Sequence, residues 1–277
     1  MTVRVILTLY QKSWELSRQR ILDIIPDSLL AQALQTEPDV GEIQLENPDV
    51  TPEALNIITD LLQGKEPPHH IPNLSSSARY LNLPCLLYYE DPLYDQVDKR
   101  GNYDTCKNRE LMNEAVRTGR HAILEYLLLK GVIPLTDMKV GVVISQPLNM
   151  AINVDNLKAF QILLADPRVK EEYSYLTLMR ILFPPRYRLS LSKIQDYFLR
   201  TIPASVLFSL IRSEEMYSLI NEQDIPRIYP RAETCEQKDL LITMSININT
   251  HKVKWWLLEQ PGNTNFYLKI AAELSIR

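Results

Sequence analysis

The stretch Met112-Asn113-Glu114-Ala115-Val116 recurs 36 residues later as Leu148-Asn149-Met150-Ala151-Ile152. The match continues at the same offset, because Leu127-Leu128 corresponds to Leu163-Leu164. Self-similarity at a fixed period is typical of repeat proteins, in which each copy forms one supersecondary unit. The sequence therefore predicts a repeat array in the second half of the chain.

Each copy predicts two short helices joined by a turn. Ala115 or Ala151 stands twelve positions before the paired leucines, and Gly119 or Asp155 lies between them. Glycine, and less often aspartate, can end a helix and allow the chain to turn into the next one. We expect Ala115 and Ala151 to be buried at equivalent places in consecutive helix pairs.

Further copies are predicted downstream, with less regular sequence. A looser match occupies Ile242, Ser245, Asn249, Val253-Lys254 and Leu257-Leu258. Between it and the clear copies, residues 189–200 and 204–220 have the length and apolar spacing of helices. The sequence thus predicts four or five units, those at about 175–262 being degenerate. An irregular helical insertion in this region is the alternative.

These copies resemble ankyrin repeats, whose pattern runs T-P-L-H-x-A-x-x-x-G and then paired leucines and a glycine. The matching residues are Pro147-Leu148 with Ala151, and Ala115 with Gly119, Leu127-Leu128 and Gly131. The resemblance places clear units at about 108–135 and 144–170 and a C-terminal helix at about 265–277. Asn113 and Asn149 replace the histidine of the pattern, which predicts looser loop tips than in a consensus array.

The first half of the chain predicts short strands alternating with capped helices. Alternating apolar residues over 3–9 and again over 42–46 predict two strands. Thr51 followed by Pro52 predicts a helix N-terminus, and Gly64 predicts its end. The order of these elements indicates an α+β domain.

Two more helices and a linker complete the first half. One helix is predicted after Asp27-Ser28, which can cap it, and another between Pro72 and Pro84. The stretch 91–101 is polar and contains Pro92 and Gly101, which predicts a linker. We place a domain boundary near residue 100.

The first half resembles a BTB/POZ domain. Its strand, helix start and helix end are matched by Gly41-Glu42-Ile43-Gln44-Leu45, Val50-Thr51-Pro52-Glu53-Ala54-Leu55 and Leu61-Leu62-Gln63-Gly64, and its A-x-Y-L-x-I-P motif by Ala78-Arg79-Tyr80-Leu81-Asn82-Leu83-Pro84. Leu16-Ser17-Arg18 replaces the usual histidine-containing entry to the first helix and is closer to the tetramerisation-type subclass. The resemblance implies an α+β BTB/POZ-like domain at 1–98, expected to fold alone, followed by an all-α ankyrin-type helical solenoid at 104–277.

Composition and charge exclude several classes of function. The formal net charge is −4, which supplies no positive field for nucleic acid or anionic lipid. The seven glycines are too far apart for a phosphate-binding loop, and no apolar run of 18 residues occurs. Three widely spaced cysteines fit neither a disulfide framework nor a zinc site. We expect an intracellular protein without nucleic-acid, membrane or cofactor binding.

Candidate catalytic residues are few and isolated. His69-His70 could bind a metal only with two further ligands from elsewhere, so a solvated loop pair is the simpler interpretation. Cys85 lies in an apolar stretch, where a thiol is usually a small buried hydrophobe. No motif of a hydrolase, zinc protease or kinase occurs. We therefore predict that the protein is not an enzyme.

The two resemblances together imply a protein–protein interaction adaptor. BTB-like domains self-associate or bind a cullin-type ubiquitin ligase scaffold, and ankyrin arrays present turn tips and first helices to a client protein. The combination also resembles proteins of large DNA viruses, which would place it in the host cytoplasm. The alternative is a structural or assembly component, for example of a viral particle, which would be far more abundant in a purified particle than an adaptor.

The predicted partner-binding residues are the exposed positions of the first helices. They are Asn113, Glu114 and Arg117 in one unit and Asn149, Met150 and Asn153 in the next. Adjacent residues of a helix point about 100° apart, so Trp255 and Trp256 cannot both face one core layer. One of them is a further candidate, although packing against a terminal helix at 265–276 is the alternative. Solvated polar positions without a partner are the alternative for the first-helix residues.

Overall fold

The computed structural model describes residues 1–134, 147–172, 192–212 and 224–247, together with positions 175, 178 and 182. The chain forms two compact units, residues 1–150 and residues 151–277. Residues 1–98, predicted as one domain, and the first predicted helix pair lie in the same unit.

A small three-stranded sheet opens the first unit. Its strands are β1 (Thr2–Leu7), β2 (Lys12–Ser17) and β3 (Glu42–Leu45), in the order β2-β1-β3. The central strand β1 pairs antiparallel with β2 and parallel with β3. The two strands predicted from alternation are confirmed, but β2 was not predicted. Gln11, at φ +52°, makes the tight turn that brings β2 back along β1.

The strand alternation buries one face of the sheet. Val3, Val5 and Leu7 of β1 are each no more than 1% exposed. Helices α1 (Arg18–Ile24), α2 (Leu29–Thr36) and α3 (Pro52–Leu62) follow in this unit, and α3 packs against β2. This sheet and its helices form the core of the first unit.

The predicted caps set the ends of two helices. The Ser28 hydroxyl accepts a hydrogen bond from the Ala31 amide at 3.1 Å and begins α2. The Thr51 hydroxyl accepts one from Ala54 at 3.2 Å, with Pro52 as the first residue of α3. Gly64, at φ +76°, follows the helix end. These sequence predictions are confirmed because local capping chemistry decides such ends.

The helix predicted between Pro72 and Pro84 is confirmed, and the stretch predicted as a linker contains a 3₁₀ turn. Helices α4 (Ser75–Tyr80) and α5 (Leu86–Glu90) precede a 3₁₀ turn at Pro92–Gln96. Within the stretch predicted as a linker, Tyr94 is fully buried. The sequence did not predict this burial, because the stretch around the tyrosine is polar and polar stretches are usually exposed.

Two helix–turn–helix segments recur at the offset of the sequence repeat. The first pair is α6 (Cys106–Thr118) with α7 (His121–Leu129), and the second is α8 (Pro147–Asn153) with α9 (Leu157–Ala165). Their turns share one hydrogen bond, Arg120 amide to Ala115 carbonyl at 2.8 Å and Asn156 amide to Ala151 carbonyl at 2.9 Å. Both alanines are fully buried. The predicted equivalence of the two alanines is confirmed.

The repeat spacing extends to a third helix. After α10 (Pro167–Glu172) comes α11 (Lys193–Thr201), so α7, α9 and α11 begin at 36-residue intervals. Asn156 caps the third residue of α9 at 3.1 Å, and Ser192 caps the third residue of α11 at 3.2 Å. The region predicted as degenerate therefore contains a helix in the register of the clear copies.

The second unit continues with α12 (Ala204–Arg212), α13 (Ile225–Ile228), a 3₁₀ turn at Tyr229–Arg231 and α14 (Cys235–Asn247). Leu241, Ile242 and Met244 of α14 are buried. The predicted C-terminal helix at about 265–277 lies outside the described residues. The fold is a mixed α+β one, mainly helical, with one small sheet in the described part of the chain. Among the helices of that part, none is both long and apolar enough to cross a membrane.

Candidate interaction surface

The first helix of the first pair, α6, has one buried and one accessible side. Leu111, Met112, Ala115 and Val116 are buried. Arg117 is exposed and donates to the Glu114 carboxylate from Nε at 2.9 Å and from Nη2 to both oxygens at 2.7 Å. The accessible side of α6 therefore carries a Glu114–Arg117 ion pair.

Asn113 lies beside this ion pair and has an unusual environment. Its side-chain oxygen is buried and makes no hydrogen bond with any described residue. An unsatisfied buried acceptor normally costs about 1 to 3 kcal/mol. Asn113 occupies the position where the ankyrin pattern has histidine, and no bond from it to a loop is seen among the described residues.

The first helix of the second pair, α8, has the same arrangement of positions. Asn149 and Met150 are half-buried, and Asn153 is exposed. These positions match Asn113, Glu114 and Arg117 at the 36-residue offset, with the same graded exposure. That the two sets form one contiguous surface stays a prediction. Trp255 and Trp256 lie outside the described residues.

The chemistry of these positions suits protein recognition. An asparagine amide can both donate to and accept from a peptide backbone, and Asn153 is the exposed asparagine of the set. Met150 adds a polarisable, conformationally adaptable apolar group of the kind favoured at binding surfaces. Together these positions offer amide, charged and apolar groups to a protein surface.

A tyrosine cluster, which the sequence did not predict as a site, lies elsewhere in the first unit. Ring centroids of neighbouring members are 5.0 to 6.4 Å apart, mostly edge to face. Such pairs stabilise by about 0.5 to 1.5 kcal/mol beyond their area burial. The members are Tyr88, Tyr89, Tyr94, Tyr103 and Tyr126. The tyrosines are spread over 39 positions of sequence, so no local spacing pattern marks them.

Glu66 is the polar centre of this cluster. Its carboxylate accepts hydrogen bonds from the Tyr126 hydroxyl at 2.8 Å and the Tyr103 hydroxyl at 3.2 Å, and it pairs with the Lys130 ammonium. Burial raises the pKa of Glu66, but the hydrogen bonds from Lys130 and Tyr126 outweigh it and hold that pKa below its usual value. Burial and the bond to Glu66 raise the pKa of Tyr126.

The histidine pair contacts one carboxylate. His70 Nδ1 lies 2.5 Å from Asp95 Oδ2, and its backbone amide donates to Asp95 Oδ1 at 2.8 Å. His69 Nδ1 lies 3.6 Å from the same carboxylate, and its side chain is 81% exposed. Within the described ranges, no three histidine, cysteine or acidic residues are placed to hold a metal ion.

The cysteines are isolated from one another in the structure. Burial raises the pKa of the Cys85 thiol, which lies just before α5. Cys106 and Cys235 are exposed at the first positions of α6 and α14. All three are free thiols.

Comparison of the chain with protein-family models, with curated proteins and with solved structures gives no match. The resemblances to BTB/POZ domains and ankyrin repeats therefore rest on the sequence motifs quoted above. The class defined by the structure is a mixed α+β protein containing repeated helix pairs.

Proposed function

We propose that this protein is a non-enzymatic adaptor that binds a client protein through its helix pairs and self-associates or docks a scaffold through residues 1–98. The proposal takes residues 1–98 as BTB/POZ-like and the helix pairs as ankyrin-type units. On that basis a cullin-type ubiquitin ligase is a candidate scaffold, and the protein acts inside the cell, in the host cytoplasm if it is viral.

One observation carries the proposal. The accessible positions of α6 and α8 recur at the repeat offset with similar exposure, while the alanines beneath them are fully buried. In repeat proteins the buried positions of each unit pack against the neighbouring units, and the accessible positions vary to fit a partner. The mixed set of amides, an ion pair and a methionine supports a protein client.

The client-binding part is tested by affinity capture from cells with mass spectrometry. We expect the double variant Glu114→Ala with Met150→Gln to recover at least about tenfold less of the partner. Each surface change should alter the free energy of unfolding by only about 0.5 kcal/mol. The matched control is Glu125→Ala with Gln161→Ala, which are equivalent positions on α7 and α9. Retained capture by the folded first variant would place the binding site elsewhere.

The docking part is tested on the full purified chain. Light scattering after size exclusion measures whether it forms a dimer or higher oligomer, and a binding assay with a purified cullin measures scaffold docking. A monomer that binds no cullin would contradict the role proposed for residues 1–98. High copy number in a purified particle would instead favour the structural component.

A further inference from the structure

Residues 65–72, here called the strap, connect α3 to α4 and contain Pro67, Pro68 and Pro72. Pro67 and Pro68 have no amide hydrogen to donate, so the strap relies on its carbonyls and side chains for anchorage. Several of its hydrogen bonds go to residues after position 88.

The middle of the strap is fixed to the segment around the 3₁₀ turn. The Tyr94 hydroxyl donates to the Pro67 carbonyl at 2.8 Å, and the Lys99 ammonium donates to the Pro68 carbonyl at 3.1 Å. The Ile71 amide donates to the Tyr89 carbonyl at 2.7 Å. These bonds hold the strap against the segment that precedes α6.

Glu66 extends this anchorage to the first helix pair. Tyr126 and Lys130, its partners, lie on α7 and directly after it, and Tyr103 lies on the connector before α6. The Lys130 ammonium also lies 5.6 Å from the ring centroids of both tyrosines. One carboxylate that lies before the predicted domain boundary thus contacts three residues that lie after it.

The groups that form this contact are largely buried. Tyr126 is fully buried, and the side chains of Glu66 and Lys130 are only 21% and 29% exposed. Without the carboxylate, the Tyr126 hydroxyl and the Lys130 ammonium lose their shared partner in a region where water has little access. Losing one member of such a charge-assisted set costs more than losing an exposed ion pair.

We propose that Glu66 is a positioning residue that couples the sheet-containing part, residues 1–98, to the first helix pair, so that the two act as one body. A client on α6 is then presented in a defined orientation to whatever residues 1–98 dock. This use of the coupling rests on the adaptor function proposed above. The coupling itself is measurable without any partner.

Hydrogen exchange of the full chain tests the coupling. We expect Glu66→Ala to speed amide exchange in the connector 98–105 and in α7 about tenfold, because these amides open locally once the anchor is lost. Exchange in β1 and α3 should rise less, because amides of the core open only with the whole unit. Glu46→Gln, which changes an exposed carboxylate, is the control and should change none of these rates.

Two further variants separate positioning from general stabilisation. Lys130→Met should speed amide exchange in α7 of the otherwise unmodified protein. In the Glu66→Ala variant it should change the exchange rate little, because both substitutions remove the same Glu66–Lys130 contact. Tyr103→Phe keeps the ring and loses the hydroxyl, so it should speed amide exchange less than Glu66→Ala and only in the connector.

A rise of equal size in β1 and α3, or no rise in the connector and α7, would overturn the coupling. Loss of client capture by the Glu114 and Met150 variant is a separate measurement. The adaptor proposal can therefore fail while the coupling holds.

Discussion

At the scale of single residues, two asparagines on α6 illustrate opposite situations. Asn108 is fully buried, and its side chain accepts from the Asp98 amide at 2.8 Å while donating to the carbonyls of Asp98 at 2.9 Å and Tyr103 at 2.7 Å. Asn113, one and a half turns later, leaves its buried oxygen without a described partner. Residue type alone could not distinguish them, because the partners of Asn108 belong to the connector.

The two asparagines should respond differently to truncation. We expect Asn108→Ala to lower the free energy of unfolding by about 2 to 3 kcal/mol, since three partly buried backbone groups of the connector lose their partners. Asn113→Ala should change it by less than about 0.5 kcal/mol or raise it, because an unsatisfied acceptor disappears and alanine favours the helix. Urea unfolding with unchanged m value measures both. Equal losses would contradict the assignment.

Glu66 gives the fold a specific dependence on pH. Its pKa in the folded protein lies below the reference value of 4.5, so its contribution is present above that value and is lost as the pH falls through the folded pKa. We expect the stability difference between the unmodified protein and Glu66→Gln to be largest near pH 7 and to shrink below about pH 4.5. Urea midpoints at several pH values test this. A difference that is constant with pH would exclude a role for the carboxylate charge.

At the scale of elements, the repeated turn tolerates two different residues in the left-handed region. Gly119 has φ +72° and Asp155 has φ +51°. Glycine adopts this conformation freely, whereas aspartate is strained unless its side chain bonds locally or elsewhere. The Asp155 carboxylate accepts hydrogen bonds from the amides of Lys193 and Ile194, at 3.1 and 3.2 Å. Asp155 therefore caps α11 in addition to making its own turn.

Substitutions at Asp155 can separate its two roles. Asp155→Gly relieves the backbone but removes the carboxylate that accepts from Lys193 and Ile194 in addition to the Ser192 cap, and we expect a loss of about 1 kcal/mol. Asp155→Ala removes the cap and keeps a side chain in the left-handed region, so we expect about 1 kcal/mol more. Thermal unfolding compares the two variants. Identical melting temperatures would show that the turn carries no backbone strain.

Sequence patterns predicted elements that depend on local chemistry. Caps at Ser28 and Thr51 and the buried alanines of the repeat were predictable because their determinants lie within a few residues. The strand β2 was not predicted, because its only apolar residues are Trp14 and Leu16. The cluster around Glu66 was not predicted either, since its partners come from positions 37 to 64 residues away along the chain.

At the scale of the whole molecule, the boundary predicted near residue 100 falls within the first compact unit. Tyr89 and Tyr94 lie before the boundary and contact Tyr126 after it, with centroids 6.3 and 5.4 Å apart. A fragment that ends at 98 would expose both rings. The expectation that 1–98 folds alone stays a prediction, and from this contact we further expect residues 1–98 to be less stable without Tyr126.

Two fragments test the dependence. We expect residues 1–134 to unfold cooperatively and at a higher urea concentration than residues 1–98, because the longer fragment retains Tyr103, Tyr126 and Lys130. Tyr126 is fully buried in the intact unit. Its ring and its hydroxyl therefore both contribute to the stability of the longer fragment. Circular dichroism during urea titration measures the midpoints. Equal midpoints would show that the first helix pair adds nothing to the sheet-containing part.

The tyrosine cluster also allows the contact between residues 1–98 and the first helix pair to be followed by ultraviolet spectroscopy without a label. Five of the 14 tyrosines lie in it, and packed rings contribute to near-ultraviolet dichroism that disappears when fixed packing is lost. Burial, together with the Glu66 charge, raises the pKa of Tyr89 and Tyr94, and that of Tyr126 is raised by burial and its bond to Glu66. We therefore expect their phenols to ionise at higher pH than exposed tyrosines, so that phenolate absorbance in alkaline solution reports how many of these rings remain buried.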